Sequence, residues 1–242
     1  MRIFTSHLLV ILALLNSAVR ADDPSSLEFR DDFDGKYDEA WTILNENAEN
    51  ISLTKNSGML TITGESGGIW RGQTSAKNIF LIDTPMRSGN FVMTTRIMDF
   101  DPKQNYEQAG LLCFNDLDNY VKFASEFDDG NGGKTLAVVP EIDGMDLENE
   151  TLKVQDVVHE LWLRIVLYDG KYIFSASRDG KIFRTISKQT IALDYPAMVG
   201  IITQSSGGGD SPSVDAKFDM FEIVPLETKP ELIELIKAEM VF

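Results

Sequence analysis

From residue 90 onward the chain alternates apolar and polar residues with a period of two, in short runs divided by acidic or glycine-bearing turns. Period two sends successive side chains to opposite faces of a strand, whereas an amphipathic helix repeats every 3.6 residues. In 91–98, Phe91, Met93, Thr95 and Ile97 share one face. Residues 109–114 and 120–127 read as the next two strands, joined at Asp116-Leu117-Asp118-Asn119, with Tyr120 and Lys122 facing away from Val121 and Phe123. Residues 135–139 form a strand stopped by Pro140, and 161–168, 171–178 and 181–186 are separated by Asp169-Gly170 and Asp179-Gly180. Aspartate–glycine pairs readily take the left-handed backbone of two-residue hairpins, so both are expected to be tight turns. Residues 198–203 and 216–223 complete the set, with Gly207-Gly208-Gly209 a flexible loop between them; 27–33 and 59–63 are strand-like before it. No helical segment separates these runs, which excludes a parallel sheet built on helical crossovers. The pattern predicts an all-β sandwich of two antiparallel sheets. Only 230–240 departs from it. Leu232, Leu235, Ile236 and Met240 fall on one side of an expected short helix, which either covers a sheet edge or hangs as a loose tail.

Residues 1–21 combine Arg2, an apolar run over 8–15 and small residues around Val19-Arg20-Ala21, the pattern of a secretory signal peptide. The run is too short to cross ~30 Å of hydrocarbon and is followed at once by Asp22 and Asp23, so no membrane anchor is expected. Residues 22–225 then form one sandwich domain and 226–242 a C-terminal tail, in a secreted or periplasmic monomer. Cleavage would remove Arg2 and Arg20 and take the net charge from -16 to -18. So acidic a chain repels phosphate and makes a poor nucleic-acid partner. Its one cysteine, Cys113, excludes an internal disulfide framework, and two histidines, His7 and His159, exclude a multi-histidine zinc site.

Several short motifs occur in order across 27–224. They are Asp32-Phe33-Asp34-Gly35 ahead of Trp41, Glu107-Gln108-Ala109-Gly110-Leu111, and Asp116-Leu117-Asp118-Asn119-Tyr120-Val121-Lys122. Trp162-Leu163-Arg164-Ile165 follows, ahead of Tyr172, Ser175 and Asp179-Gly180, and Phe218-Asp219-Met220-Phe221 closes the series. This series resembles concanavalin A-like lectin/glucanase domains, above all uncharacterised secreted domains related to the C-terminal sandwich of family-43 β-xylosidases. The resemblance implies a jelly-roll sandwich. It leaves function open, because the architecture serves hydrolases, lectins and accessory domains alike. It further implies a structural calcium ion where the first and last strands meet, with Asp219 as the leading ligand and Glu28 or Asp31 beside it.

Glu141, Asp143 and Asp146 resemble the paired-acid strand of family-16 glucanases. That chemistry needs acids on one strand face and, for retaining hydrolysis, two carboxyl groups about 5 Å apart. Pro140 and Gly144 interrupt the strand and Asp146 stands where a glutamate is required, so these three are weak catalytic candidates in an expected acidic loop. No serine triad can be assembled around one mature histidine. Sugar recognition pairs an aromatic face with hydrogen-bonding groups. Trp70 and Arg71 in a glycine-rich loop, with Tyr120, Lys122 and Glu126 on one strand face, are the leading ligand-binding candidates; Gln73, Asn119, Arg164 and Arg178 are further ones. Trp41 and Trp162 are expected in the core. The first reading is an exported, noncatalytic or accessory module whose partner is a polysaccharide or other glycan. A glycoside hydrolase and a structural or protein-interaction domain are the alternatives.

Overall fold

The structure is a computed structural model, which describes residues 27–147, 150–153, 159–205 and 214–240. The leader expected over 1–21 and the glycine run 207–209 lie outside these residues. In chain order the strands are β1 (Phe29–Asp31), β2 (Thr42–Leu44), β3 (Ile51–Ser52), β4 (Leu60–Thr63), β5 (Ile79–Asp83), β6 (Phe91–Met98), β7 (Gln108–Asp116) and β8 (Asn119–Asp128). They continue as β9 (Gly133–Ile142), β10 (Met145–Asp146), β11 (Glu150–Lys153), β12 (Glu160–Tyr168), β13 (Lys171–Ser177), β14 (Arg184–Gln189), β15 (Met198–Gln204) and β16 (Asp215–Pro225), before helix α1 (Pro230–Met240).

The strands form two antiparallel sheets. One has the order β14-β13-β12-β6-β16-β4-β3, with β1 also on β16; the other has the order β10-β9-β8-β7-β15-β5-β2, with β11 also on β9. First and last strands meet, Arg30 lying opposite Glu222 and Asp31 opposite Phe221. This is the all-β, two-sheet jelly roll with one short C-terminal helix that the alternation and the resemblance predict.

Alternation builds the core. Phe91, Met93 and Ile97 of β6 meet Leu111, Val121 and Phe123 from the facing sheet, with Phe174, Phe218 and Phe221 filling the space between. Each such side chain contributes about 1.5–3 kcal/mol by leaving water. Thr95 shares the buried face because its hydroxyl donates to the Met220 carbonyl, 2.7 Å away, where β16 slips register between Phe218 and Met220. Trp41 is core as expected, and its indole N–H donates to Asp31. Trp162 is only half-buried. It lies beside the Arg96 guanidinium, 5.4 Å from ring centroid to Cζ, and its indole N–H donates to Glu160.

Several local expectations need correction. Pro140 does not stop β9. Its carbonyl accepts Leu147 N–H from the side away from β8, so the N–H that proline lacks would have pointed to that outer side as well and no bond to β8 is lost. Asp169-Gly170 is a tight turn with both residues at positive φ, whereas Asp179-Gly180 lies in a longer loop. There the Asp179 carboxylate accepts the N–H groups of Lys181 and Ile182, and β14 begins only at Arg184. Helix α1 covers the outer face of the first sheet, not an edge. Ile236 is buried with Leu232 and Ile233 over Val92, Val166, Ile173 and Val224, while Leu235 faces solvent.

Candidate functional site

The outer face of the second sheet is where polar residues converge. Residues 64–78 lie across it, and Ile69 and Ala76 pack on Ile79, Leu81, Leu112, Phe114, Tyr120 and Ile202 to make a small second core. The segment doubles back tightly, with Ser75 and Ala76 N–H both donating to the Gly68 carbonyl. Gly67 has φ +141, and a Cβ there would sit 2.5 Å from the Ser75 carbonyl oxygen, so glycine is required.

At the tip of this segment Arg71 takes a left-handed backbone (φ 50) that delivers its N–H to Glu141 Oε2 at 2.8 Å. Tyr120 Oη donates to the same oxygen at 3.0 Å. The Arg71 guanidinium forms two 2.8 Å hydrogen bonds to Asp146 and lies 4.4 Å from the centre of the Trp70 ring. Arg71 is therefore fastened at backbone and side chain, and the Trp70 ring against it remains 38 % exposed.

Below Trp70 opens a cleft of about 520 Å³. Sheet register sets its floor: Gln108 lies opposite Glu126 on β8 and opposite Gln204 on β15, and Lys122 lies four residues before Glu126 on β8, between Leu112 of β7 and Val139 of β9. All four are more than nine-tenths buried. Gln108 Nε2 donates to Glu126 Oε2 at 2.5 Å, and the Thr135 hydroxyl reaches Glu126 Oε1 at 3.4 Å. Gln108 Oε1, Gln204 Oε1 and Ser205 Oγ are buried without a hydrogen-bond partner. Groups of this kind are rare because desolvating one without a partner costs about 1–3 kcal/mol. Burial pushes the Lys122 ammonium down to about 8, against the opposing pull of Glu126 and Glu141. Burial likewise raises Glu126, which Lys122 resists. Tyr106, 52 % exposed, lines the cleft together with Asp128 and Asn131.

Of the five leading ligand-binding candidates, Trp70, Lys122 and Glu126 line this cleft. Tyr120 does not. Its ring is fully buried in the second core and has no face to offer. Arg71 serves as a clamp on Glu141 and Asp146. Gln73 lines the cleft; Asn119 is bound to Asp116, and Arg164 sits 3.4 Å over the Phe183 ring on the other sheet. The sequence reading missed Gln108, Gln204, Ser205 and Tyr106. The available signal was a glutamine in phase with Gly110 and Leu112 on β7, but the pairing that sets it beside Glu126 is visible only in three dimensions.

The three weak catalytic candidates do not form a row of acids. Glu141 is a buried acceptor for Arg71 and Tyr120, Asp146 is paired with Arg71, and Asp143 occupies a tight turn with Gly144 at φ 53, its N–H donating to Asn119. The calcium set is likewise not assembled. Asp31 accepts N–H groups from Phe33, Asp38 and Trp41, each at 2.8 Å, while Asp219 pairs with Arg96 at 2.9 Å. Glu28 is exposed, and among the described residues no three His, Cys, Asp or Glu side chains are grouped to hold a metal. The bulge in β16 turns Asp219 outward while Asp31 closes the loop beneath Trp41, which separates the two roles.

A model of the β-xylosidase C-terminal concanavalin A-like domain matches residues 30–224. The chain belongs to this family. It corresponds to the noncatalytic C-terminal module of GH43 enzymes. The GH43 protein BlXynB from Bacillus licheniformis superposes with a TM-score of 0.69 at 22% identity, over 81% of this chain and 39% of that one. A Bacteroides ovatus xyloglucan-locus GH43B gives 0.64 at 20%, over 81% and 39%. A functionally unknown protein from Saccharomyces cerevisiae gives 0.60 at 18%, over 77% of this chain and 96% of that one. The chain thus spans about two fifths of the GH43 enzymes it matches. None of the curated proteins shows a significant match.

Proposed function

We propose that this module binds a glycan in the cleft beneath Trp70 and carries out no chemistry on it. The observation that supports this reading is the floor: buried Lys122, Glu126, Gln108 and Gln204 side by side, with unpartnered oxygens lining a cleft that has a half-open indole at its rim. Sugar rings offer apolar faces to an indole and hydroxyls that both donate and accept, so they suit the rim and the floor together. The module would be exported after cleavage at Ala21 and act as a monomer; N-terminal sequencing of exported material should then begin at Asp22.

Isothermal titration against oligosaccharides of xylan and xyloglucan, classes suggested by the enzymes that share the fold, followed by a wider glycan array, tests the reading. Dissociation constants on the order of 10 μM to 1 mM are expected, about 4–7 kcal/mol. Trp70→Ala should weaken binding about tenfold without unfolding the protein, because the ring is largely outside the core. Failure to bind across the array would favour a structural or protein-interaction role.

A further inference from the structure

Resting on the glycan-binding reading, we infer that the cleft accepts an uncharged polyhydroxyl sugar and rejects sugars bearing carboxylate groups. Among its described lining residues the charged side chains are Lys122, Glu126 and Asp128. The one ammonium is already engaged electrostatically by Glu126 and by Glu141 just beyond the cleft. It is 2 % exposed, so these buried carboxylates already balance it. A uronate would therefore enter a cleft with two carboxylates and a committed cation, on a chain of net charge -16.

The hydrogen-bond inventory leads to the same class. Gln108 turns its Nε2 to Glu126, which leaves its buried Oε1 without a donor. Ser205 Oγ is also unpartnered. Both oxygens can accept from a donor, which a carboxylate group cannot supply. A hydroxyl supplies one. A run of neutral hydroxyls can donate to Gln108 and to Ser205.

Affinity electrophoresis of the chain through matched polymers tests this, each neutral backbone paired with a carboxylated form: hydroxyethylcellulose with carboxymethylcellulose, and arabinoxylan with glucuronoxylan. Retention is expected on at least one neutral member, with at least tenfold weaker retention on its charged counterpart. Asp128→Asn should narrow the gap between a neutral polymer and its carboxylated form. Equal or stronger retention on the charged member of the pair overturns the inference while leaving glycan binding intact. Retention on no polymer, neutral or charged, overturns the underlying reading and the inference with it.

Discussion

Lys122 holds an ammonium where water scarcely reaches, and the consequence is a pH dependence whose sign can be worked out. Its folded pKa, about 8, lies below the ordinary lysine value of 10.5, so between these limits the unfolded chain binds more protons than the folded one. Stability must then rise with pH across that window. Cys113 and the buried tyrosines act in the opposite sense, because burial raises their pKa values and unfolding lets them ionise; with ordinary values of 9.0 and 10.0 they offset only a part of the lysine effect below pH 9. Between pH 8 and 9 the lysine should dominate, adding about 1 kcal/mol. Urea denaturation at the two pH values should show a higher midpoint at pH 9, and Lys122→Met should remove that rise. A midpoint that falls in the wild type would mean that the ammonium is solvated and not part of a closed floor.

At the scale of elements, facing was legible in the residues and closure was not. Period-two alternation placed Phe91, Met93, Thr95 and Ile97 correctly on the inner face, and it set Tyr120, Lys122 and Glu126 on the opposite side of β8 from Val121 and Phe123. Turn chemistry was less faithful. Asp169-Gly170 and Asp179-Gly180 are the same dipeptide, yet Ser177 donates its hydroxyl to the second aspartate and diverts it into a wider loop. Helix α1 shows the same limit: its period was plain, but which turn of apolar residues points down depends on the sheet beneath. Ile236, and not Leu235, enters the cluster with Val92, Val166 and Val224. Ile236→Ala should cost about 2–4 kcal/mol and Leu235→Ala under about 1 kcal/mol, as measured by chemical denaturation. Equal costs would show that the helix is not docked by this face.

In the whole molecule, the segment 64–78 converts one sheet face into a cleft, and it is secured from across the chain by Glu141 and Asp146. Nothing in the local sequence announces that partnership, because Arg71 and Glu141 are seventy positions apart and both look like surface residues. The same acids made a hydrolase conceivable when read as a glucanase-like row. In the folded chain Glu141 accepts from Arg71 N–H and Tyr120 Oη, and Asp146 is held by Arg71, so their work is to fasten Arg71, whose guanidinium lies against Trp70. The two roles diverge in Glu141→Gln. A catalytic carboxylate would lose turnover and keep affinity, since its proton transfer acts in the transition state. A fastening carboxylate exchanges two charge-assisted bonds for weaker ones, which should cost about 1–2 kcal/mol of stability. It should also weaken glycan binding several-fold by loosening Trp70. Reducing-sugar release should be absent from wild type and variant alike, while the variant melts earlier and binds less well. Release by the wild type that disappears in Glu141→Gln, with affinity unchanged, would move this cleft from a binding module to an enzyme.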